Sequence, residues 1–381
     1  MIPRKILAIS SAPKQIDALA DLFKEMAGKG HLFRFACAGR AGKESPGQNW
    51  NCQKIYLGPE AKKGINTLIF FLILPFLLIF YLPYLAYHKF AEKISLLILF
   101  SRNEKIIFTP LAGLLKIKTV WIEPPEYAAK NYGGASKLAI LFFKAVSRHP
   151  RIITFNGLTK SRLKNLGWRE ENIFLAHPGI KINRRENQDD IFSELAKIET
   201  KFSRKFFTIG VQAELSKNVK METIMSAVKS CLPIIPNLQL IVVGEGEEKK
   251  NLSWLAKKMG LDTVVWFVSA RNNSKKWLAN FNIFVMANEN PTLGDLNTVI
   301  KAMAAGLPVI GPANAGLEEI VYKNKTGALI ETDNSEMLAR QIIKLYQDKR
   351  LRLKIGELGR ERAETYFTLE KQLEKFEEIF E

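Results

Sequence analysis

The sequence predicts an α/β chain built from two parallel-sheet units with a cleft between them. Three observations predict it. Short apolar runs alternate with stretches of helical spacing, the pattern of parallel strands covered by helices on both faces. The alternation lapses into polar residues from about Lys181 to Arg204 and then restarts, as a second unit would. The length, 381 residues, suits two domains.

In chain order, "KILAIS" (Lys5–Ser10) is a first apolar strand, and "QIDALADLFKEMAGKG" (Gln15–Gly30) has helical spacing closed by glycines. The runs "FRFACAG", "KIYLG", "SLLILF", "KIIFTP" and "KTVWIEPPEY" continue the alternation. "SKLAILFFKAVSR" reads as an apolar helix, followed by the strand "RIITFN", the helix "GLTKSRLKNLG" and the strand "NIFLAHPGI". The second unit repeats the pattern through "KFFTIGVQAEL", "METIMSAVKSCLPII", "LQLIVVGEGEE", "KNLSWLAKKMG", "VVWFVSA", "NSKKWLANF" and "IFVMANEN". It closes with "TLGDLNTVIKAMA", "GLPVIG", "GALIET" and "SEMLARQIIKLYQD", and the chain from Leu351 to Glu381 is charged and helical. The order implies two Rossmann-like domains. Their expected bounds are 1–183, a linker 184–204, a second domain 205–350, and helices 351–381 that return to the first domain.

Lys and Arg outnumber Asp and Glu by 56 to 38, a formal charge of +18. That excess favours an anionic partner: phosphorylated substrates, a charged membrane surface or nucleic acid. The basic residues are scattered and no nucleic-acid module is present, so no nucleic-acid partner is expected. Cys37, Cys52 and Cys231 are widely and irregularly spaced, which argues against both a metal site and a disulfide framework and suits a reducing cytosol. The four histidines (His31, His88, His149, His177) share no ligand spacing, so neither a metal nor another cofactor is expected. Met1 leads straight into a strand, so no signal peptide is expected.

Residues 65–87, "INTLIFFLILPFLLIFYLPYLAY", carry no charge and are long enough by count to cross a bilayer. Lys62 and Lys63 precede them; His88, Lys89 and Lys93 follow. Spanning would put strands of one sheet on opposite sides of a membrane, and Pro75 and Pro83 interrupt a straight helix. The expectation is a monotopic helix or hairpin in the interface, its lysines on anionic headgroups. A wholly buried core helix and a spanning helix are the alternatives.

Seven motifs stand in order: "IGVQAELSKN", "LQLIVVGEGEE", "VVWFVSA", "FNIFVMANEN", "VIKAMAAGLPVIG", "AGLEEIV" and "KTGALIE". Each is weak alone; in this order they resemble the donor-binding domain of GT-B glycosyltransferases of the retaining family 4 type. The resemblance is strong from about Phe206 to Ile330, and looser through "RIITFNGLTKSRLKNLGW" and "NIFLAHPGI". It implies a GT-B fold, a nucleotide-diphosphate sugar as donor, transfer with retention, and a lipid-linked or glycan acceptor.

The candidate donor-site residues, taken from the resemblance and from the residue pattern together, are Gly210, Lys217, Asn218, Gly244, Gly246, Glu289, Gly294, Asp295, Asn297, Thr298 and Lys301. "TLGDLNTVI" begins a helix whose free N–H groups and dipole suit phosphates, with Gly294 allowing close approach and Asp295 or Asn297 as cap. A plain capped helix is the structural alternative. Gly244 and Gly246 lie where a strand ends, the edge at which open α/β sheets bind ligands, though "GEG" also suits a tight turn. Lys217 is the best match to the family's phosphate-binding basic residue; the arginine expected after the strand glycine is Val211.

The family's two glutamates, eight residues apart, fall on Leu293 and Lys301. Lys301 is placed for a salt bridge to Asp295 or Glu289, a phosphate contact, or solvent. In the first domain Glu123, at the end of "VWIE", stands where relatives often have a histidine. It is the candidate catalytic side chain, as a hydrogen-bond acceptor for a hydroxyl rather than a nucleophile, and an ion pair with a lysine is its structural alternative. The expected function is sugar transfer at the inner face of a membrane. The departed acidic pair keeps open a non-catalytic relative acting as a membrane-associated partner or scaffold.

Overall fold

The computed structural model describes residues 3–11, 13–38, 52–59, 65–125, 150–182, 206–269 and 274–381. Lys62, Lys63, His149, the helix expected at "SKLAILFFKAVSR" and the linker 184–204 lie outside the described residues. The chain forms two compact units: Met1–Pro178 with Leu369–Glu381, and Gly179–Thr368.

The first unit is a parallel sheet in the order β3-β2-β1-β4-β5-β6-β7. Its strands are β1 (Lys5–Ser10), β2 (Leu32–Ala38), β3 (Cys52–Ile55), β4 (Leu96–Leu99), β5 (Lys118–Glu123), β6 (Arg151–Thr154) and β7 (Ile173–Leu175). Helices α1 (Pro13–Ala18), α2 (Ala20–Gly28), α3 (Ile65–Phe90), α4 (Arg102–Leu114) and α5 (Gly157–Asn165) join them. β4, "LLIL", is buried at every position, as a central strand covered on both faces must be. The run Lys105–Pro110, short and apolar enough for a strand, lies inside α4, a helix buried nearly all round and so without the polar face that marks a helix in sequence.

The cysteine expectation is corrected. Cys37 and Cys52 form a disulfide, with Cα atoms 5.7 Å apart. The β2–β3 register sets Phe35 opposite Cys52 and Cys37 opposite Lys54, so the two cysteines lie on neighbouring strands, two positions apart in register. Cys231 is free and buried.

Helix α3 is neither wholly buried nor detached. It crosses over from β3 to β4, strands of one sheet, so a spanning topology would divide that sheet. One stripe, Phe70, Leu74, Leu77, Tyr81 and Leu85, is buried in the core of the first unit. The Tyr81 ring packs at a tilt on Phe108 of α4 at 5.0 Å, and its hydroxyl accepts from the Tyr56 N–H at 3.1 Å and donates to the Tyr56 carbonyl. The opposite stripe, Leu68, Leu72, Phe76, Ile79, Phe80, Tyr87 and Phe90, is 61–74 % exposed. By length and composition the helix is apolar enough to cross a membrane.

Glu104, in the first turn of α4, is fully buried and accepts a hydrogen bond from the Ser11 N–H. Burial raises its carboxyl above the ordinary value of 4.5. A folded-state value above the unfolded one contributes stability below the unfolded value, and that stability is lost as pH rises toward the folded one. Glu104→Gln removes the loss. The melting-temperature difference, variant minus wild type, is expected to grow from pH 4 to pH 7, and a constant difference would contradict it.

The second unit is a parallel sheet in the order β10-β9-β8-β11-β12-β13. Its strands are β8 (Phe207–Gln212), β9 (Leu238–Val243), β10 (Val265–Val268), β11 (Ile283–Val285), β12 (Val309–Pro312) and β13 (Gly327–Ile330). Its helices are α6 (Met221–Cys231), α7 (Lys249–Lys258), α8 (Ser274–Ala279), α9 (Leu293–Ala304), α10 (Ala315–Glu318), α11 (Ser335–Gln347) and α12 (Lys349–Tyr366).

The break back to the first unit comes at Leu369, not Leu351. Within the second unit, Gly356 of α12 lets the helix lie against Gly306, where a Cβ would meet the Gly306 carbonyl at 2.0 Å. Arg362 donates to the Ile320 and Glu319 carbonyls at 2.8 and 2.7 Å. Only the final helix, α13 (Leu369–Phe380), belongs to the first unit. There Phe376 and Ile379 are fully buried and Glu377 pairs with Lys29 of the α2–β2 turn at 3.0 Å.

Candidate functional site in the second unit

The strand order reverses direction between β8 and β11, which makes their carboxyl ends the topological switch point of this sheet. The loops leaving β8 and β11 are tied together there. Val219 bridges Asn288, and the Lys220 N–H donates to the Ala287 carbonyl at 3.0 Å. The loop after β9 joins them through Ala213 N–H to Val243 O (3.2 Å), Leu215 N–H to Glu245 O (2.9 Å) and Glu248 N–H to Leu215 O (3.0 Å).

This lacing accounts for two of the expected ligand-binding glycines. A Cβ at Gly244 would lie 2.0 Å from the Ala213 carbonyl oxygen, and one at Gly246 would lie 2.1 Å from that of Leu215. Both are glycines because the neighbouring loop occupies the space. Gly210, within β8, is likewise a packing glycine: its Cβ would collide with the Phe281 ring at 1.9 Å. Lys217 and Asn218 occupy the exposed turn of the β8 loop.

Helix α9 opens on the β11 loop with a capping box. The N-cap is Thr292, not Asp295 or Asn297: its hydroxyl accepts from the Asp295 N–H at 3.1 Å. Asp295 Oδ2 in return accepts from the Thr292 N–H (2.9 Å), the Thr292 hydroxyl (2.8 Å) and Asn288 Nδ2 (2.8 Å). The Thr-x-x-Asp spacing that signals such a box is legible in "TLGD". Asp295 therefore fixes the helix start and the β11 loop together. Beside Gly294 only the Thr292 hydroxyl comes within 4 Å of a Cβ position, so that side of the first turn is open. Thr298 turns back on its own helix, donating to the Gly294 carbonyl at 2.9 Å, and Asn297 is partly buried.

Lys301 does not face the first turns of the helix. It sits exposed in the last turn of α9, roughly 12 Å along the axis from Leu293 at 1.5 Å per residue. Glu289 pairs instead with Lys220, at 3.4 Å. Lys220 also bonds Asp333 at 2.6 Å, and Thr223 donates to the same carboxylate at 3.0 Å. The Lys220 hydrogen bond holds the Asp333 carboxyl below its ordinary value, and Asp333 raises Lys220 in turn.

These side chains rim an open pocket at the ends of β11, β12 and β13. Its walls are apolar (Ile224, Val285, Pro312, Ile330, Leu338), and its rim carries Lys220, Thr223, Glu289 and Asp333. Apolar walls with a few placed polar groups suit a flat ring and hydroxyls. Of the expected donor residues, only Glu289 lines this pocket. Sequence reasoning missed Lys220, Thr223, Asn288, Thr292 and Asp333. The available signals were the lysine immediately before "METI" and the capping spacing; nothing local marks Asp333.

In the first unit, Glu123 does not present its carboxylate to solvent. It is 1 % exposed, and Lys105, 2 % exposed, donates to its Oε1 at 2.5 Å and to the Ile122 carbonyl at 2.8 Å. The ion pair with a lysine is the arrangement found. Among the described residues no cluster of His, Cys, Asp or Glu is placed to hold a metal.

Residues 193–362 match the family model described as Glycosyl transferases group 1. Among curated proteins, N-acetyl-alpha-D-glucosaminyl L-malate synthase of Bacillus anthracis is 28 % identical over 163 residues, 42 % of this chain and 42 % of that protein. The lipopolysaccharide core biosynthesis glycosyltransferase LpsE of Rhizobium meliloti is 29 % identical over 36 % of this chain and 39 % of its own. The chain thus spans about two fifths of the length of these relatives. Among solved structures, Anabaena Alr3699/HepE in complex with UDP superposes with a TM-score of 0.76 at 16 % identity, covering 99 % of each chain. That likeness establishes the fold, two parallel sheets in the GT-B manner, and residues 193–362 carry the match to the glycosyl transferases group 1 model.

Proposed function

We propose that this chain transfers a hexosyl group from a nucleotide-diphosphate sugar to a lipid-linked or glycan acceptor, with retention, while attached peripherally to the inner face of a membrane. The observation that carries the reading is the family match over the unit that also holds the laced loops, the capped helix and the pocket. One relative points the same way by name, the lipopolysaccharide core biosynthesis glycosyltransferase. A structural neighbour was crystallised with UDP.

In this reading the diphosphate lies against the Gly294 side of the first turn of α9, where the helix dipole favours an anion, and Lys217 adds a charge from the β8 loop. The pocket beside Lys220 and Asp333 takes the nucleoside. Asp295 positions the helix start rather than touching the sugar. Glu123, committed to Lys105, acts through the packing of the first unit rather than on the substrate.

A melting-temperature screen against UDP, GDP, ADP and their sugars tests this. A nucleotide at a hundred times its dissociation constant adds about 2.7 kcal/mol of stability. One nucleotide series is expected to raise the melting temperature, and Lys217→Ala to reduce that rise. One observation favours a second reading, a non-catalytic relative: Lys301 occupies a position where the family carries a glutamate, and Glu289 is engaged with Lys220. Flat traces across the panel from folded protein would select it.

A further inference from the structure

We infer that the outward face of α3 is a docking surface for an anionic bilayer, with the helix in the plane of the membrane at the boundary of headgroups and acyl chains. The inference rests on the peripheral attachment proposed above and specifies its surface and its lipid.

Four observations carry it. First, the outward stripe runs without a charge from Leu68 to Tyr87, roughly 28 Å at 1.5 Å per residue. Scattered exposed apolar residues are normal, but a continuous band this long marks an interaction surface. Second, the inward stripe of the same helix is core, so the helix is fixed against its sheet and can enter a membrane only along its side.

Third, both prolines, Pro75 and Pro83, lie on the exposed face. Each withholds an N–H from the helix ladder, which is costly in hydrocarbon and harmless where water and headgroups reach the carbonyls. That sets the depth at the interface. Fourth, the rim is cationic. Lys93 follows the helix, and Lys89 donates to the Leu115 carbonyl, bringing exposed Leu114 and Lys116 beside it. Along the flank, Tyr84 donates to Gln53 at 3.1 Å, next to exposed Lys54 and Tyr56. The nearby acid, Glu92, is engaged by Arg34 at 2.8 Å and His88 at 2.6 Å. Aromatic side chains flanking an apolar band with lysines at its edge match the boundary layer of a bilayer. A second copy would meet this lysine rim with its own, whereas anionic lipid neutralises it.

The test is co-sedimentation of the full chain with vesicles of phosphatidylcholine alone or with added phosphatidylglycerol. Binding is expected with the anionic vesicles, weaker with the neutral ones, and falling as salt rises. Leu72→Ser/Phe76→Ser/Phe80→Ser is expected to abolish it, and Lys54→Gln and Lys93→Gln to weaken it by about fivefold each. Melting temperature and the nucleotide-induced shift are recorded for every variant to confirm folding. Three results would overturn the inference: wild type left in the supernatant with both vesicles, the triple variant pelleting like wild type, or a vesicle-indifferent dimer that the triple variant dissociates. Pelleting of the triple variant would move the attachment off α3 without touching peripheral binding itself. A lost nucleotide response with vesicle binding intact would sink the sugar-transfer reading alone.

Discussion

Lys105→Met is expected to destabilise the protein by about 3–5 kcal/mol, measured by urea unfolding. Lys105 and Glu123 are both almost completely buried and 2.5 Å apart, and the ammonium also lies 5.6 Å from the centre of the Trp121 ring. Burial lowers the Lys105 ammonium from its ordinary value, and Glu123 opposes that shift most strongly. Removing the lysine leaves a carboxylate in an apolar interior with its countercharge gone. Lys105→Met/Glu123→Leu removes both charges and is expected to recover most of the loss, because the pair itself gains little over a packed apolar contact. If the double variant were as unstable as the single, buried charge would not be the cause and the packing of the lysine stem would be.

That pair also shows where reading residues in order succeeds and where it stops. The strand ending at Glu123 is legible, because "KTVWIE" is a short apolar run bounded by a proline pair. Its partner is not, because Lys105 lies in a run that looks like a strand and is a helix, and only the third dimension brings the two together. The same holds in the second unit. Lys217 and the start of α9 can be placed from spacing, and the alternation of strands and helices implies the parallel sheet. Asp333 joins Lys220 across a sequence distance that no local pattern spans, and the neighbouring loop that Gly244 and Gly246 leave room for is likewise invisible in their own segment. The disulfide was missed for a related reason: its cysteines are far apart along the chain and adjacent only through strand pairing.

Phe70→Ala is expected to cost about 3–5 kcal/mol, whereas Phe76→Ala, two turns further along the same helix, is expected to change stability by no more than about 0.5 kcal/mol. Phe70 is fully buried and edge-on to Phe71 at 5.7 Å, while Phe76 is 74 % exposed. The comparison is made by thermal or urea unfolding in water without lipid. Equal, large losses at both positions would mean that the outward stripe is covered in solution, by another copy or another part of the chain. Equal, small losses would mean that α3 is not packed on its sheet.

The placement of α13 has a consequence for the order in which the protein can be made. The first unit begins at the N-terminus, yet the side chains of Phe376, Ile379 and Phe380 that complete its core are encoded after the whole of the second unit. The flank beside α2 and Phe155, whose ring lies 6.4 Å from that of Phe376, therefore stays uncovered until all of the second unit has been made. Folding from the N-terminus forward, the usual sequence during synthesis, is interrupted here. The first unit is begun first and completed last, and during translation its unfilled flank is the surface that a chaperone would have reason to shield.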